Sequence, residues 1–211
     1  MGVYFESNRA AGSDRVVVGS DCAGVESAVR LEELAKKYCS DKYYAHSYIP
    51  FYGSVFMGIE REVKQVLEIG IGYEQMMKPF VPEFVQGSSL KMWRDYFPNA
   101  TIWGMDNNEE AMDGCRGLER IHTYIGNQGS IWDLLNLVSI SGGEFDVVID
   151  DGSHETKDQI ITYKTLEPYM RRGGVYVVED VREPEVVKRA IDGVVYRFNK
   201  RPDDCLVVVR R

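Results

Sequence analysis

The amino-acid sequence predicts an α/β fold in which a doubly wound sheet of seven strands ends in an antiparallel hairpin. From residue 65 onward, short apolar runs typical of buried strands alternate with segments of helical periodicity. The last two predicted strands, 194–198 and 205–210, are joined by only six residues. Such a loop is too short for a parallel crossover, so these two strands are expected to pair antiparallel.

The predicted elements follow one another in a regular order. Strands are expected at 65–70, 100–106, 121–126, 145–150, 175–179, 194–198 and 205–210, and helices at 25–38, 88–96, 108–115, 130–138, 157–169 and 183–191. A turn at 172–174 is expected to lead into the fifth strand.

The chain is expected to contain a single domain. Residues 1–24 are predicted to form a flexible N-terminal arm, and 25–211 the domain itself. Within it, 25–60 are expected to form a helical and aromatic flap over a ligand, although its tyrosines could instead pack it onto the surface. Residues 73–86 read as an insert near the candidate site, suited to selecting a ligand.

Composition argues against several classes of protein. The chain has 211 residues, of which 44% are hydrophobic and 27% charged, and its net charge of −8 disfavours broad binding to nucleic acid. No apolar stretch approaches the ~20 residues that cross a bilayer, so no membrane partner is expected. Four separated cysteines without a Cys-x-x-Cys motif favour reduced thiols and a cytoplasmic location.

The segment 66–73 is the starting point for the candidate site. Its apolar run ends in the pattern Glu-x-Gly-x-Gly, typical of a buried strand that stops at a glycine-rich turn. Gly70 and Gly72 leave room for a ligand to approach the backbone. A dinucleotide motif would require a third glycine at position 75, where the sequence has Gln75, and the loop resumes only at 87–90. The pattern therefore predicts an interrupted nucleotide-type loop and disfavours an NAD-linked dehydrogenase.

Polar residues stand where each of the first five strands ends. Ligands of open α/β sheets bind beyond the carboxyl ends of the strands, so these residues are expected to surround one pocket. An aspartate can accept both hydroxyls of a ribose, and amides suit an adenine edge. Any one of these residues could instead cap a helix, but five successive positions favour ligand binding. They are Glu68, Asp106, Asn127 with Gln128, Asp150 with Asp151, and Glu179 with Asp180.

Four carboxylates are expected to meet where the fourth and fifth strands end. Asp150, Asp151, Glu179 and Asp180 would repel one another and raise each other's pKa values in the absence of a cation. Oxygen ligands suit a hard divalent cation, Mg²⁺ above all, with Ca²⁺ or Mn²⁺ as alternatives. A solvated acidic rim without a metal is the competing interpretation.

His154 follows Asp151 in a glycine-containing turn, and it is the only histidine that the pattern places among these carboxylates. An imidazole beside anions is suited to accept a proton from a substrate hydroxyl, although His154 could merely cap the next helix. His122 lies inside the third strand and is typical of a core histidine, whereas His46, in the aromatic segment, is ambiguous.

These motifs resemble those of class I S-adenosylmethionine-dependent methyltransferases. More narrowly, they are similar to the metal-dependent sugar O-methyltransferases of natural-product biosynthesis, the mycinamicin type. The resemblance covers about residues 31–181, and its most specific part is the pairing of IDDGSH at 149–154 with VVED at 177–180. The other matching stretches are SDK at 40–42 with the spacing of His46, Tyr48 and Tyr52, the glycine loop at 66–73, GSSLKMW at 87–93, WGMD at 103–106 and GNQ at 126–128.

The resemblance implies a Rossmann-like class I methyltransferase fold, with S-adenosyl-L-methionine and Mg²⁺ or another hard divalent cation as cofactors. It implies methylation of a hydroxyl on a small-molecule acceptor that bears a sugar or a diol. It also implies residue roles: Glu68, Gly70, Gly72 and Ser89 at the methionine and ribose of the cofactor, Asp106 at the ribose hydroxyls, Asn127 and Gln128 at the adenine, Asp150 near the methionine moiety, Asp151, Glu179 and Asp180 as metal ligands, and His154, with Asp151, in catalysis.

Two departures from the family pattern limit what carries over. Asn127 stands where the family usually has an acid, and the sequence has no counterpart of the large N-terminal auxiliary domain of the macrolide enzymes. Neither a macrolide substrate nor an oligomeric state is therefore implied, and a homo-oligomer stays open. Two alternatives also stay open: a catechol-type O-methyltransferase, and a non-catalytic cofactor-binding scaffold, which would have no need of the metal ligands and the base.

Overall fold

The fold is built on one mixed sheet of seven strands. The computed structural model describes residues 22–198 and 204–211. The strands lie in the order β3-β2-β1-β4-β5-β7-β6, and they are β1 (Gln65–Ile69), β2 (Thr101–Asp106), β3 (Ile121–Ile125), β4 (Phe145–Asp150), β5 (Met170–Val178), β6 (Val194–Arg197) and β7 (Cys205–Arg210). The first five strands are parallel, and β7 runs antiparallel to β5 and to β6. The predicted doubly wound sheet with a terminal antiparallel hairpin is confirmed.

Helices cover both faces of this sheet. Within the described residues they are α1 (Cys22–Lys37), α2 (Asp41–Tyr44), α3 (Ile49–Phe56), α4 (Glu74–Met77), α5 (Ser88–Tyr96), α6 (Ile131–Ser141), α7 (Thr156–Leu166) and α8 (Pro184–Ile191), with 3₁₀ turns at Glu109–Met112 and Glu167–Tyr169. Side chains of a strand point alternately to its two faces. Val147 and Ile149 of β4 therefore join the apolar layer under α1, α3 and α5, whereas Val148 joins the layer under α6, α7 and α8. Burial on both faces explains why the central strands are continuous apolar runs.

The aromatic segment between α1 and β1 belongs to the core, so the interpretation as a surface segment is wrong. Tyr48 and Tyr52 are fully buried. The ring of Tyr52 stacks on Phe56 of α3 and meets Trp93 of α5 edge-on, with centroids 5.5 and 5.2 Å away. Both phenol hydroxyls donate to buried carboxylates, which satisfies the polar ends of tyrosines that are otherwise apolar.

Two predicted elements are wrong for local reasons. In place of a helix over 108–115, the chain makes one 3₁₀ turn, Glu109–Met112, where the side chain of Asn108 accepts from the backbone N–H of Glu110 at 2.9 Å. This bond caps the turn, but Gly114 and Gly117 follow it, and glycine disfavours a regular helix; Gly117 has a φ of 75°. The turn predicted at 172–174 lies inside β5, where Gly173 has a φ of 84° and the pairing with β4 shifts register. The strand therefore begins at Met170, before the predicted turn, and continues through it.

Parts of the chain lie outside the described residues. These are 1–21, most of the predicted N-terminal arm, and 199–203, in the loop between β6 and β7. Helix α1 begins at Cys22, slightly before its predicted start at residue 25. Among the helices that the structure describes, none is long and apolar enough to cross a membrane.

Candidate functional site

A cavity of about 580 Å³ opens at the carboxyl ends of the parallel strands. The sequence places the candidate residues at this edge of the sheet, and most of them line the cavity. These are Gly70, Gly72, Ser89, Asp106, Asn127, Gln128, Asp151, His154 and Asp180. Three others, Glu68, Asp150 and Glu179, are buried and do not line it.

The glycine loop after β1 forms one wall of the cavity. Gly70 and Gly72 have φ values of 84° and 73°, a left-handed conformation that favours glycine. A Cβ atom on Gly70 would lie 1.9 Å from the backbone oxygen of Asp151. The loop therefore passes so close to the end of β4 that only glycine fits at position 70.

Asp106, at the end of β2, holds this loop in place. One of its carboxylate oxygens accepts the backbone N–H groups of Ile71 and Gly72 at 2.9 and 3.1 Å. The other oxygen accepts the N–H of Asn108 at 2.9 Å. A carboxylate has about four lone-pair sites, so Asp106 retains capacity to accept from a ligand.

The residues after β3 and β4 are tied together beneath the cavity. Gln128 donates to Asp150 at 2.9 Å and accepts from the backbone N–H of Ser153. Asp150 also accepts from the hydroxyl of Tyr176 at 3.2 Å, and burial raises its pKa to about 7. The amide of Gln128 is thus already engaged within the protein. Asn127 is less enclosed, and its side chain caps the following turn at Gly129.

Asp151, His154 and Asp180 form a cluster that also lines the cavity. One ligand atom from each lies within 4.8 Å of the others, and His154 Nε2 is 3.2 Å from Asp151 Oδ1. His154 and Asp180 both have positive φ values, 57° and 50°. Backbone conformations of this kind are uncommon outside glycine and cluster at functional sites. The arrangement could hold a divalent cation.

Charge and burial shift the pKa values of this cluster. Burial, and then the charge of Asp151, raise the pKa of Asp180 to about 6. Burial disfavours the imidazolium of His154, but the hydrogen bond and charge of Asp151 raise its pKa to about 9. Burial also disfavours the carboxylate of Asp151, yet Lys42 and His154 hold its pKa below the usual range. The protonated form of His154 is therefore favoured in this arrangement.

Glu179 does not share the Asp151–His154–Asp180 cluster, because its side chain faces a lysine that the sequence analysis missed. Its Oε1 accepts from the hydroxyl of Tyr52 and lies 2.9 Å from Lys42 Nζ. Lys42 is fully buried and also contacts Glu68 and Asp151. The sequence carried two signals of this role, a lysine inside a segment dense in aromatic residues and the match of SDK at 40–42 to the family, but nothing local paired Lys42 with those carboxylates.

His46 is a second histidine among the carboxylates, so the expectation that His154 alone lies there is wrong. His46 Nδ1 is 2.6 Å from Asp204, and His46 Nε2 is 3.5 Å from Asp180. The hydroxyl of Tyr48 donates to the other oxygen of Asp180 at 2.5 Å. These contacts orient Asp180, and they join the residues just before α3 to the residue just before β7, which are far apart in the sequence.

The insert at 73–86 lies at the mouth of the cavity. It contains α4, and Tyr73, Met76, Met77 and Phe80 line the opening. The side chains of Met76 and Phe80 are about half exposed, at 47% and 53%. This rim can pack against an apolar part of a ligand.

Known proteins with similar sequences are O-methyltransferases. The chain is 40% identical over 154 residues to the 8-demethyl-8-(2-methoxy-α-L-rhamnosyl)-tetracenomycin-C 3'-O-methyltransferase of Streptomyces olivaceus, which aligns 72% of this chain with 36% of that protein. It is 36% identical over 154 residues to the mycinamicin VI 2''-O-methyltransferase of Micromonospora griseorubida, with the same two shares, 72% and 36%. The chain spans between 36% and 47% of the length of such relatives. No protein-family model matches it.

Solved structures give the same relationship. The MycE methyltransferase of the mycinamycin biosynthetic pathway, in complex with Mg and S-adenosylhomocysteine, superposes with a TM-score of 0.62 at 34% identity, over 74% of this chain and 40% of that one. A Methanococcus jannaschii fibrillarin pre-rRNA processing protein, at 14% identity and a TM-score of 0.51, covers 71% of this chain and 66% of its own and shares the fold alone. By sequence and by fold, the chain belongs to the class I methyltransferase family that includes these sugar O-methyltransferases.

Proposed function

We propose that this chain carries the catalytic part of an S-adenosyl-L-methionine-dependent, Mg²⁺-assisted O-methyltransferase that acts on a hydroxyl of a small sugar- or diol-bearing molecule. One observation carries the proposal: a single cavity is lined both by the glycine loop and Asp106 and by Asp151, His154 and Asp180. Methyl transfer needs a donor and an acceptor held close and aligned, which adjacent half-sites of this kind provide. The similarity to O-methyltransferases supports the same conclusion.

On the cofactor side, the backbone of Gly70 and Gly72 and the side chain of Ser89, which line the cavity, would contact the methionine and ribose. The remaining lone-pair site of Asp106 would accept a ribose hydroxyl. Asn127 and Gln128 would border the adenine, with Asn127 the freer of the two. Glu68 and Asp150 lie behind the residues that line the cavity, so their effect on the cofactor would be indirect. Glu68 would act through its contact with Lys42, and Asp150 through its hydrogen bond with Gln128.

On the acceptor side, Asp151 and Asp180 would hold the divalent cation, because carboxylate oxygens are the ligands that Mg²⁺ prefers. Their oxygens and the nitrogen of His154 already lie within 4.8 Å of one another, which fits one small ion. Glu179, the third predicted ligand, would have to use its other oxygen or release Lys42. A bound divalent cation would acidify a hydroxyl attached to it and would offset the negative charge that keeps His154 protonated.

His154 would then accept the proton of the acceptor hydroxyl. Its side chain lines the cavity and is 27% exposed, and Asp151 orients the imidazole through the 3.2 Å contact. A general base must reach the proton that it abstracts, and His154 borders the space next to the proposed cation site. Asp151 would therefore act both as a ligand and as the residue that holds the base.

The acceptor is proposed from the relatives and from the rim of the cavity. The relatives are named for methylating rhamnosyl groups of tetracenomycin and an olivosyl group of oleandolide. A deoxysugar glycoside is therefore the first acceptor to test, and the apolar insert, with Met76 and Phe80, would contact its aglycone. A catechol-type enzyme would instead methylate an aromatic diol, and a scaffold would bind the cofactor without turnover.

The test is a calorimetric titration with S-adenosylhomocysteine, with and without MgCl₂, and with NAD as the control ligand. Binding of the thioether but not of NAD is expected, followed by methyl transfer from S-adenosyl-L-methionine in a screen of deoxysugar glycosides and catechols. Turnover that EDTA abolishes and MgCl₂ restores would support the metal-assisted reaction. Absence of S-adenosylhomocysteine binding in both conditions would refute the proposed function.

A further inference from the structure

Lys42 lies among three carboxylates, of which those of Glu68 and Glu179 are buried and that of Asp151 lines the cavity. Its Nζ atom is 2.8 Å from Asp151 Oδ2, 2.9 Å from Glu179 Oε1 and 3.2 Å from Glu68 Oε1. The lysine side chain is 0% exposed, as is that of Glu68, and Glu179 is 1% exposed. Burial of an unpaired charge costs several kcal/mol, roughly, so neither the ammonium nor the carboxylates would be stable here alone.

The three carboxylates come from three adjacent strands of the sheet. Glu68 is in β1, Asp151 follows β4 and Glu179 follows β5. Burial raises the pKa values of Glu68 and Glu179, and the charge of Lys42 is the strongest influence that opposes this rise. Burial by itself would lower the pKa of Lys42, but Asp151, Glu179 and Glu68 together raise it well above its ordinary value. One ammonium thus faces three carboxylates that adjacent strands bring together.

We infer that Lys42 is a positioning residue: its ammonium neutralises the carboxylates of Glu68, Asp151 and Glu179 from the core and holds Asp151 in the orientation that the cavity requires. The two oxygens of Asp151 are divided between two partners. Oδ2 contacts Lys42, and Oδ1 faces His154 at 3.2 Å. Rotation of the carboxylate would break both contacts, so Lys42 also fixes the oxygen that faces the cavity.

Lys42 does not line the cavity, so it is not a catalytic residue. It enters the cluster from α2, and its backbone oxygen accepts the N–H of Tyr48 at 3.2 Å, which ties α2 to the start of α3. Lys42 and a divalent cation would then neutralise these carboxylates from opposite sides, the lysine from the core and the cation from the cavity. The part of the cation rests on the proposed function, whereas the part of the lysine does not.

Unfolding in urea tests the neutralising role. The Lys42→Met variant leaves buried carboxylates without their ammonium, and its folding equilibrium constant is expected to fall by roughly 10²- to 10³-fold. Lys36→Met is the matched control, because Lys36 pairs with Glu32 on the surface and its loss should change that constant less than about threefold. Adding Glu68→Gln to Lys42→Met should recover at least about tenfold, since one buried charge is removed. Equal stability of the two lysine variants, or no recovery by Glu68→Gln, would overturn the inference.

A folded protein is needed for this comparison. If Lys42→Met does not fold, the triple variant Lys42→Met/Glu68→Gln/Glu179→Gln is measured in its place, because Asp151 is then the one carboxylate of the three that keeps its charge. Folding of the triple variant is expected, and its failure to fold would equally overturn the neutralising role.

Calorimetric titration with MgCl₂ tests the positioning role. Lys42→Met/Glu68→Gln has the same net charge as the wild type but lacks the contact with Asp151, so its dissociation constant for Mg²⁺ is expected to rise at least about tenfold. Unchanged or tighter binding would show that Lys42 acts through charge alone and would overturn the positioning role. A wild type that binds no Mg²⁺ would overturn that role together with the metal-assisted function, whereas the urea experiment would still decide the neutralising role.

Discussion

Replacement of Asp106 by asparagine should separate the two functions of this residue, folding the glycine loop and binding the cofactor. The carboxylate accepts three backbone N–H groups, two on one oxygen and one on the other. An asparagine has one acceptor oxygen and one NH₂ group. If its oxygen takes the position that serves Ile71 and Gly72, its NH₂ group faces the N–H of Asn108, and that donor loses its partner.

The expected magnitude follows from this loss. A hydrogen bond to a charged group contributes about 1.5–3 kcal/mol, so Asp106→Asn should lower the free energy of unfolding by about 2 kcal/mol. If Asp106 also accepts a ribose hydroxyl, the dissociation constant for S-adenosylhomocysteine should rise roughly 10- to 100-fold. Urea unfolding measures the first quantity, and calorimetric titration of the folded variant measures the second.

Asp113→Asn is the matched control for this experiment. Asp113 follows the 3₁₀ turn Glu109–Met112, close to Asp106 in the sequence. Its side chain is 67% exposed, and its partner Arg116 lies 3.4 Å away on the surface. Its replacement should change stability by less than about 0.5 kcal/mol. Wild-type stability of Asp106→Asn would refute the role in the loop. Reduced stability with unchanged S-adenosylhomocysteine affinity would refute the role in cofactor binding.

Three further predictions follow from single positions. Gly58→Ala, at a φ of 83° with no atom near its Cβ, should lower the free energy of unfolding in urea by about 1 kcal/mol. Gly70→Ala, at a φ of 84°, should lower it by roughly a further 1–3 kcal/mol, because its Cβ meets the backbone of Asp151. Equal losses for the two variants would argue against this close approach. His154→Asn, chosen because asparagine tolerates a positive φ, should lower kcat by ~10²–10⁴ with S-adenosylhomocysteine affinity unchanged, and a fall of only a few-fold would exclude His154 as the base. Burial disfavours the charge of Asp95, but hydrogen bonds from a tyrosine, an arginine and a lysine lower its pKa from 3.8 to about 2. Its stabilising contribution should therefore be present at neutral pH, about 1 kcal/mol after allowance for solvent, and should be lost as the pH falls from 3.8 through about 2; a difference between wild type and Asp95→Asn that stays constant over this range would contradict the assignment.

Much of the site could be predicted because strand ends have a local signature. An apolar run that stops at a glycine or an acid marks the carboxyl end of a buried strand, and parallel strands bring those ends to one edge. Asp106, Asp151 and His154 were located in this way, and they line the cavity. The same reasoning could not tell a residue that lines the cavity from one just behind it, as Asp150 and Glu179 are.

The sequence by itself determined the order of the seven strands along the chain, the antiparallel hairpin at its end and the polar residues that stand at the strand ends, because these features depend on consecutive residues. Only the tertiary structure decided which charged groups pair with one another. Lys42 contacts Asp151 across 109 positions of sequence, and His46 contacts Asp204 across 158. A buried ion pair depends on which side chains meet in the core, and burial changes the free energy of a charge without leaving any pattern in the neighbouring residues.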